Sequence, residues 1–314
     1  MTIGLIFPGQ GSQSAGMGEP WRRTESFELA HTAGQLLGVD VERLLLSCDD
    51  DELRAPFAAQ VATFVLSCIA LDHLRARAAN SGRNIVPAAV AGHSLGEYSA
   101  LVAAGALTFE AGVMLVAERG AAMASAAQDR LGVMAASVGL DAATVAAICD
   151  RHGDCWPANE NSADQIVISG TEAAVANVEI DLRDAGARLV RRLLVGGAYH
   201  SPLMAPAATR LGRALDLAPF DDAQCSVVCN VDAAPHTAAT EIVELLGRQL
   251  TGRVRWLECQ QTLFRLGITE VVEVGPGKVL TNLARRSLPG VGAHRCATPQ
   301  HVDEFLARTD RRVA

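Results

Sequence analysis

A serine stands between two glycines in G-H-S-L-G, residues 92–96, with a short apolar run before it and a helix-like run after it. A serine hydroxyl acts as a nucleophile when its Oγ is exposed, a base takes its proton, and N–H donors face the oxyanion that forms. The G-x-S-x-G pattern meets the first condition. It sets serine on a sharp strand-to-helix turn, where glycines leave the room a Cβ would fill. A helix starting at Leu95 meets the third, because its first N–H groups lack intrahelical partners. Ser94 is thus a candidate nucleophile; the alternative is a buried structural serine in an alanine-rich core. His93 is adjacent, but neighbouring side chains at such a turn project in different directions. A packing or hydrogen-bonding role suits it better, and the base must come from far along the chain.

The elements around this turn follow from the hydrophobic pattern. Residues 2–9, TIGLIFPG, read as a buried strand ending in a Pro-Gly turn. Residues 57–78 carry helical periodicity, and 84–92 fit a central parallel strand. Residues 95–107 read as a helix, and Thr108 as the N-cap of another over 109–127, with Glu110 in its first turn. Strands alternating with helices predict a parallel α/β sheet. The pattern changes near residue 129. Strand (131–140), helix (141–152), two strand candidates within 156–170, helix (171–187) and strand (188–195) give a β-α-β-β-α-β order, a ferredoxin-like unit. Helical 241–250 and strand-like 268–275 resume the α/β character. The expected organisation is a large α/β-hydrolase-like subdomain of residues 1–128 and 196–314, with residues 129–195 inserted as a small subdomain. Residues 287–300 show the least pattern.

Composition narrows the function classes. The 314 residues are 49% hydrophobic and 20% charged, as expected of a globular chain with a large core. A net charge of −8 argues against nucleic acid as the main partner. The basic residues are nearly all arginine, Lys278 being the only lysine. The eight cysteines form no zinc pattern and read as reduced thiols packed like small apolar residues. The N-terminus lacks a basic region and Pro8 cuts its apolar run, so it reads as a first strand. No uninterrupted apolar run reaches the ~18 residues of a membrane span. G-P-G-K at 275–278 lacks the spacing and the Ser/Thr of a phosphate loop and reads as a structural turn.

Six stretches taken together point to a family. They are FPGQGSQSAGMG (7–18), GHSLG (92–96), VAERGAAM (116–123), NENS (159–162), GGAYHSPLM (196–204) and EVGPGKVLTNLARR (273–286). In this order and spacing the chain resembles the malonyl-CoA:acyl-carrier-protein transacylases, which include the fatty-acid-synthesis enzyme and the acyltransferases of polyketide synthases. The resemblance runs from residue 3 to about residue 286.

The resemblance implies a ping-pong reaction. Ser94 accepts malonyl from a coenzyme A thioester, and the phosphopantetheine thiol of an acyl carrier protein then removes it. His200 is implied as general base, oriented by the main-chain carbonyl of Gln249 and not by a carboxylate, so no triad aspartate is required. The N–H groups of Gln10 and Leu95 form the implied oxyanion hole. Arg119 matches the arginine that holds the malonyl carboxylate, a task suited to a guanidinium because it can make two parallel hydrogen bonds. Modular polyketide acyltransferases tend to show His-Ala-Phe-His for malonyl and Tyr-Ala-Ser-His for methylmalonyl where residues 197–200 here read Gly-Ala-Tyr-His. Tyr199 keeps a ring that would crowd an α-substituent, which favours malonyl, but its hydroxyl departs from the pattern and needs a partner if buried. Asn161 and Asn159 are candidates to line the site, or turn-forming asparagines. Arg191 and Arg192 with Arg285 and Arg286 are candidates for a basic rim that steers an acidic carrier protein; scattered solvated arginines are the alternative. No metal or redox cofactor is implied, and the expected protein is a cytoplasmic monomer. Three other readings remain: a discrete polyketide acyltransferase using a larger or carrier-borne acyl unit, a related acyl hydrolase, and a catalytically silent carrier-binding module.

Overall fold

In the computed structural model, residues 2–310 are described. The chain opens with β1 (Ile3–Phe7), helices α1 (Glu28–Leu37) and α2 (Val41–Leu46), and the long α3 (Pro56–Asn80). Strand β2 (Ala89–Gly92), α4 (Gly96–Ala103) and α5 (Phe109–Asp129) come next. Then come β3 (Val133–Val138), α6 (Ala142–His152), β4 (Cys155–Ser162), β5 (Gln165–Gly170), α7 (Glu172–Asp184) and β6 (Leu189–Arg192). The last stretch holds α8 (Ala205–Leu217), β7 (Ser226–Val228), β8 (Pro235–His236), α9 (Ala239–Gln249), α10 (Trp256–Arg265), β9 (Glu270–Val274), α11 (Val279–Ser287), β10 (Gly292–Cys296) and α12 (Pro299–Asp310).

The large sheet has the order β10-β9-β1-β2-β7-β8, parallel except for the short β8. In such a sheet the loops at the carboxyl ends of the strands converge. Here those ends deliver Gly9 and Gln10 after β1, His93 and Ser94 after β2, Asn230 after β7, and Gly275 to Gly277 after β9. The second sheet is antiparallel with the order β4-β5-β3-β6, the arrangement expected of a ferredoxin-like unit. It is tied to the first through residue 254: Val254 N–H donates to Ala158 O (2.8 Å), and Glu160 N–H to Val254 O (2.8 Å).

The local signals explain most boundaries. The Thr108 hydroxyl accepts from Ala111 N–H (3.2 Å) and starts α5 as expected, and Asp141 and Thr171 cap α6 and α7 in the same way. The strand expected over 84–92 forms only at Ala89–Gly92, because Pro87 has no N–H for the ladder. The ladder to β1 begins directly after it, with Ala88 N–H on Ile3 O. Residues 287–300, expected to be unpatterned, contain β10 and the start of α12. Strand β10 lies at the sheet edge and is only partly covered, so it carries no run of apolar residues to reveal it. Helix α3 is long and apolar enough to cross a membrane by length and mean hydropathy (1.5), yet 83% of that stretch is buried inside the protein. It packs on α5, where Gly112 leaves room for the ring of Phe64. All eight cysteines are free, and only Cys225 among them is not fully buried.

Candidate active site

Ser94 sits at φ 53° between β2 and α4, a left-handed conformation that costs a serine energy and turns its Oγ outward. The two motif glycines permit the turn by mutual contact. A Cβ on Gly92 would lie 1.9 Å from the Gly96 carbonyl carbon, and one on Gly96 would lie 2.1 Å from Phe7 O. The loop after β1 crosses just as closely, a Cβ on Gly9 meeting His93 O at 2.3 Å. Asn230 clamps the turn from below. Its Nδ2 donates to Gly92 O (2.7 Å), and its Oδ1 accepts from Ser94 N–H (2.7 Å).

His200, also in left-handed conformation (φ 59°), meets the serine from 106 residues away. Ser94 Oγ lies 2.7 Å from His200 Nε2. On the other side of the ring, Nδ1 lies 2.9 Å from Gln249 O and 3.2 Å from Gly252 O. Carbonyls only accept, so Nδ1 carries the proton and Nε2 is left as the acceptor for the serine O–H. Burial, and then the Arg119 charge, push the His200 imidazolium down to about 3, so the ring is neutral at physiological pH, with Nε2 open to a proton.

Arg119 comes from the middle of α5 and is 1% exposed. Its Nη2 donates to Ser94 Oγ (3.0 Å) and Gln249 Oε1 (3.0 Å), and its Nη1 to Gln60 Oε1 (2.6 Å). Its Nε has no partner among the described residues, and its guanidinium lies 5.9 Å from the Tyr98 ring centroid. All of these partners are neutral, so the cation is held in place with its charge uncompensated at direct contact. Glu97 is a buried acid whose charge acts on Arg119, and it is 2% exposed. Its Oε1 accepts from Asn230 N–H (2.5 Å) and its Oε2 from Gln249 Nε2, which also donates to Ser94 O (2.9 Å). Burial pushes the Glu97 carboxyl up to about 8 against the pull of Asn230 N–H, Gln249 and Arg119; N–H donors on both oxygens fit the ionised form.

A cavity of about 80 Å³ opens beside Ser94 and His200. Gln10, Met123, Met134, Asn159, Val167, Leu193, Val195 and Tyr199 line most of it. The main-chain N–H groups of Gln10 and Leu95 have no partner among the described residues, and Leu95 stands at the start of α4. Among the described residues the Tyr199 hydroxyl is buried without a hydrogen bond in normal geometry, although the Gly196 backbone is close by, and Asn159 Oδ1 is likewise unpaired. Gly197 makes room for the Tyr199 ring, since a Cβ there would lie 2.9 Å from it.

Two expectations need correction. Asn161 does not line the cavity; its Oδ1 pairs with His93 Nε2 (2.8 Å), while Asn159 lines it. A regular strand would put both on one face, but β4 shifts register against β5 between Glu160 and Ser162, at Asn161. His93 is packed edge-on against Trp256, a structural role in line with its exclusion as the base. The four arginines do not make one rim. Arg192 is spent on Glu172 and Glu179 (2.9 Å to the latter). Arg191 lies on β6 at one edge of the small sheet, whereas Arg285 and Arg286 lie on α11, which packs against β4 at the other edge. Arg285 donates to Ala293 O (3.2 Å). The G-P-G-K stretch is a turn, with Gly275 at φ 132° and Gly277 at φ 84°. Glu273 before it caps α11 through Leu280 and Thr281 N–H.

Sequence reasoning missed Gln60, Glu97 and Asn230. Gln60 carried a signal, a lone amide on an otherwise apolar helix. Glu97 lay one residue beyond the serine motif. Asn230 had only its place after a short strand.

Comparison with known proteins agrees with this geometry. The acyl transferase domain model matches residues 5–298. The malonyl CoA-acyl carrier protein transacylase of Synechocystis is 39% identical over 292 residues, covering 92% of this chain and 94% of its own. The solved transacylase of Coxiella burnetii superposes with a TM-score of 0.92 at 32% identity, over 98% of both chains. A malonyl-transacylase solved with its type II polyketide-synthase acyl-carrier protein gives 0.92 at 32% identity, over 98% of this chain and 100% of that one. A serine on a strained turn with its histidine and a buried arginine, on a fold shared along nearly the whole length, places the chain in the malonyl-CoA:acyl-carrier-protein transacylase family.

Proposed function

We propose that this chain moves a malonyl group from coenzyme A to the phosphopantetheine thiol of an acyl carrier protein by way of an ester on Ser94. The observation that carries the reading is the position of Ser94 Oγ, 2.7 Å from a neutral His200 and 3.0 Å from a buried Arg119. His200 Nε2 takes the hydroxyl proton as Oγ attacks the thioester carbon. The oxyanion turns toward the N–H groups of Gln10 and Leu95, each such donor contributing about 3 kcal/mol in the transition state. Collapse expels the coenzyme A thiol, which takes the proton back from His200. The carrier-protein thiol then repeats the attack on the ester. Arg119 pairs with the free malonyl carboxylate throughout, and the small sheet over the cavity keeps water from the ester. No metal or redox cofactor enters this scheme, and one chain carries every group it needs. The carrier can belong to fatty-acid or polyketide synthesis, since the chemistry is the same for both.

Intact-protein mass spectrometry after separate mixing with malonyl-CoA, methylmalonyl-CoA and acetyl-CoA tests this. The expected result is a malonyl adduct with little from the other donors, abolished by Ser94→Ala. A label that survives Ser94→Ala would sink the nucleophile assignment.

A further inference from the structure

The three working side chains come from distant parts of the chain: Ser94 after β2, Arg119 from α5, and His200 after β6. One buried carboxylate lies beneath all of them. Glu97 Oε1 holds Asn230, whose side chain clamps both sides of the serine turn. Glu97 Oε2 holds the Gln249 amide, and Gln249 touches everything else: its main-chain O orients His200, its Oε1 receives Arg119, and its Nε2 reaches Ser94 O.

A glutamine amide can present either end to a neighbour. Arg119 only donates, so it needs the oxygen end of Gln249, and Glu97 as an acceptor forces the nitrogen end the other way. We infer that Glu97 is a positioning residue of this active site: it fixes the polarity of the Gln249 amide and thereby sets Arg119 for its carboxylate ligand. The inference rests on the reading of Arg119 as the malonyl clamp.

Glu97→Gln keeps the shape and reverses one contact. The Asn230 N–H is main-chain and cannot turn, so the oxygen of the new amide stays there and its NH₂ faces Gln249. Gln249 is then frustrated either way: kept as it is, its NH₂ meets the new NH₂, and flipped, it turns its own NH₂ onto Arg119 Nη2 and its oxygen onto Ser94 O. Donor meets donor and acceptor meets acceptor. Both acylation rates fall through the serine turn, and malonyl falls further because the clamp has lost its aim.

The test measures the rate of Ser94 acylation by malonyl-CoA and by acetyl-CoA for wild type, Glu97→Gln, Gln249→Ala and the double variant. Gln249→Ala keeps the main-chain carbonyl on His200 and removes only the amide. The malonyl-to-acetyl ratio does not depend on the folded fraction of each preparation, and thermal unfolding is followed alongside. Glu97→Gln is expected to lower that ratio about 10- to 100-fold, the range of one charge-assisted hydrogen bond. In the Gln249→Ala background it is expected to change the ratio no further, because the route to Arg119 is gone. Equal loss for both donors in Glu97→Gln, with the wild type still preferring malonyl, overturns the inference alone and makes Glu97 a folding residue. Additive effects of the two substitutions on the ratio also overturn it. A wild type without malonyl preference removes the clamp reading and this inference with it.

Discussion

Replacing Arg119 with alanine separates the two things a buried guanidinium does here. It donates to Gln60, Gln249 and Ser94 Oγ, all neutral, and it lies 3.0 Å from the atom that becomes acylated. A malonyl group on Ser94 brings its carboxylate to this cation. A charge-assisted hydrogen bond contributes about 1.5–3 kcal/mol, so two parallel bonds contribute ~3–6 kcal/mol. At about 1.4 kcal/mol per decade that predicts a drop of roughly 10²- to 10⁴-fold in kcat/KM for malonyl-CoA. Acetyl-CoA has no carboxylate and loses only the contact to Ser94 Oγ, a change expected within ~10-fold. The variant also strands the Gln60 and Gln249 oxygens and removes the positive neighbour that depresses His200. Both effects act on the two donors alike and cancel in their ratio. Stopped-flow acylation with each donor, together with thermal unfolding, provides the numbers. Arg119→Lys should recover part of the loss, since an ammonium keeps the charge but not the fork. Equal losses for malonyl and acetyl would refute the clamp.

The pH dependence of acylation should show no His200 inflection near 6.5, because the folded imidazole takes its proton only toward about 3. An acid limb centred on 6.5 would contradict a buried, neutral base. The same shift has a stability consequence. The unfolded chain takes up that proton near 6.5 and the native one near 3, so His200 costs native stability progressively as pH falls through this window, and His200→Gln should lose less stability on acidification from pH 7 to pH 4. Tyr199→Phe deletes a buried hydroxyl without a proper partner and should leave unfolding temperature and malonyl preference unchanged or raised; a clear loss of malonyl loading would show that the hydroxyl contacts the acyl group. Gly92→Ala forces a Cβ to 1.9 Å from the Gly96 backbone and should cost at least about 1–3 kcal/mol in chemical denaturation together with acylation; wild-type stability would mean the serine turn is looser than described.

The sequence alone determined the α/β order, the ferredoxin-like insertion and the serine turn. Each rests on near-neighbour physics: periodicity picks out strands and helices, Thr108, Asp141 and Thr171 cap the helices they precede, and Gly92 and Gly96 announce a turn no other residue allows. Local pattern failed where burial is partial. Strand β10 at the sheet edge has no apolar signature, and the register shift of β4 that separates Asn159 from Asn161 is set by its pairing with β5. Only the tertiary structure decided how Ser94, Arg119, His200 and Gln249 meet. Their contacts span 25 to 155 residues of sequence, and a hydrogen bond reads distance and direction, which no residue type carries by itself. The depressed basicity of His200 and the upward push on the Glu97 carboxyl belong to the same level. Both arise from water being excluded by residues that lie far off in the chain and close in space.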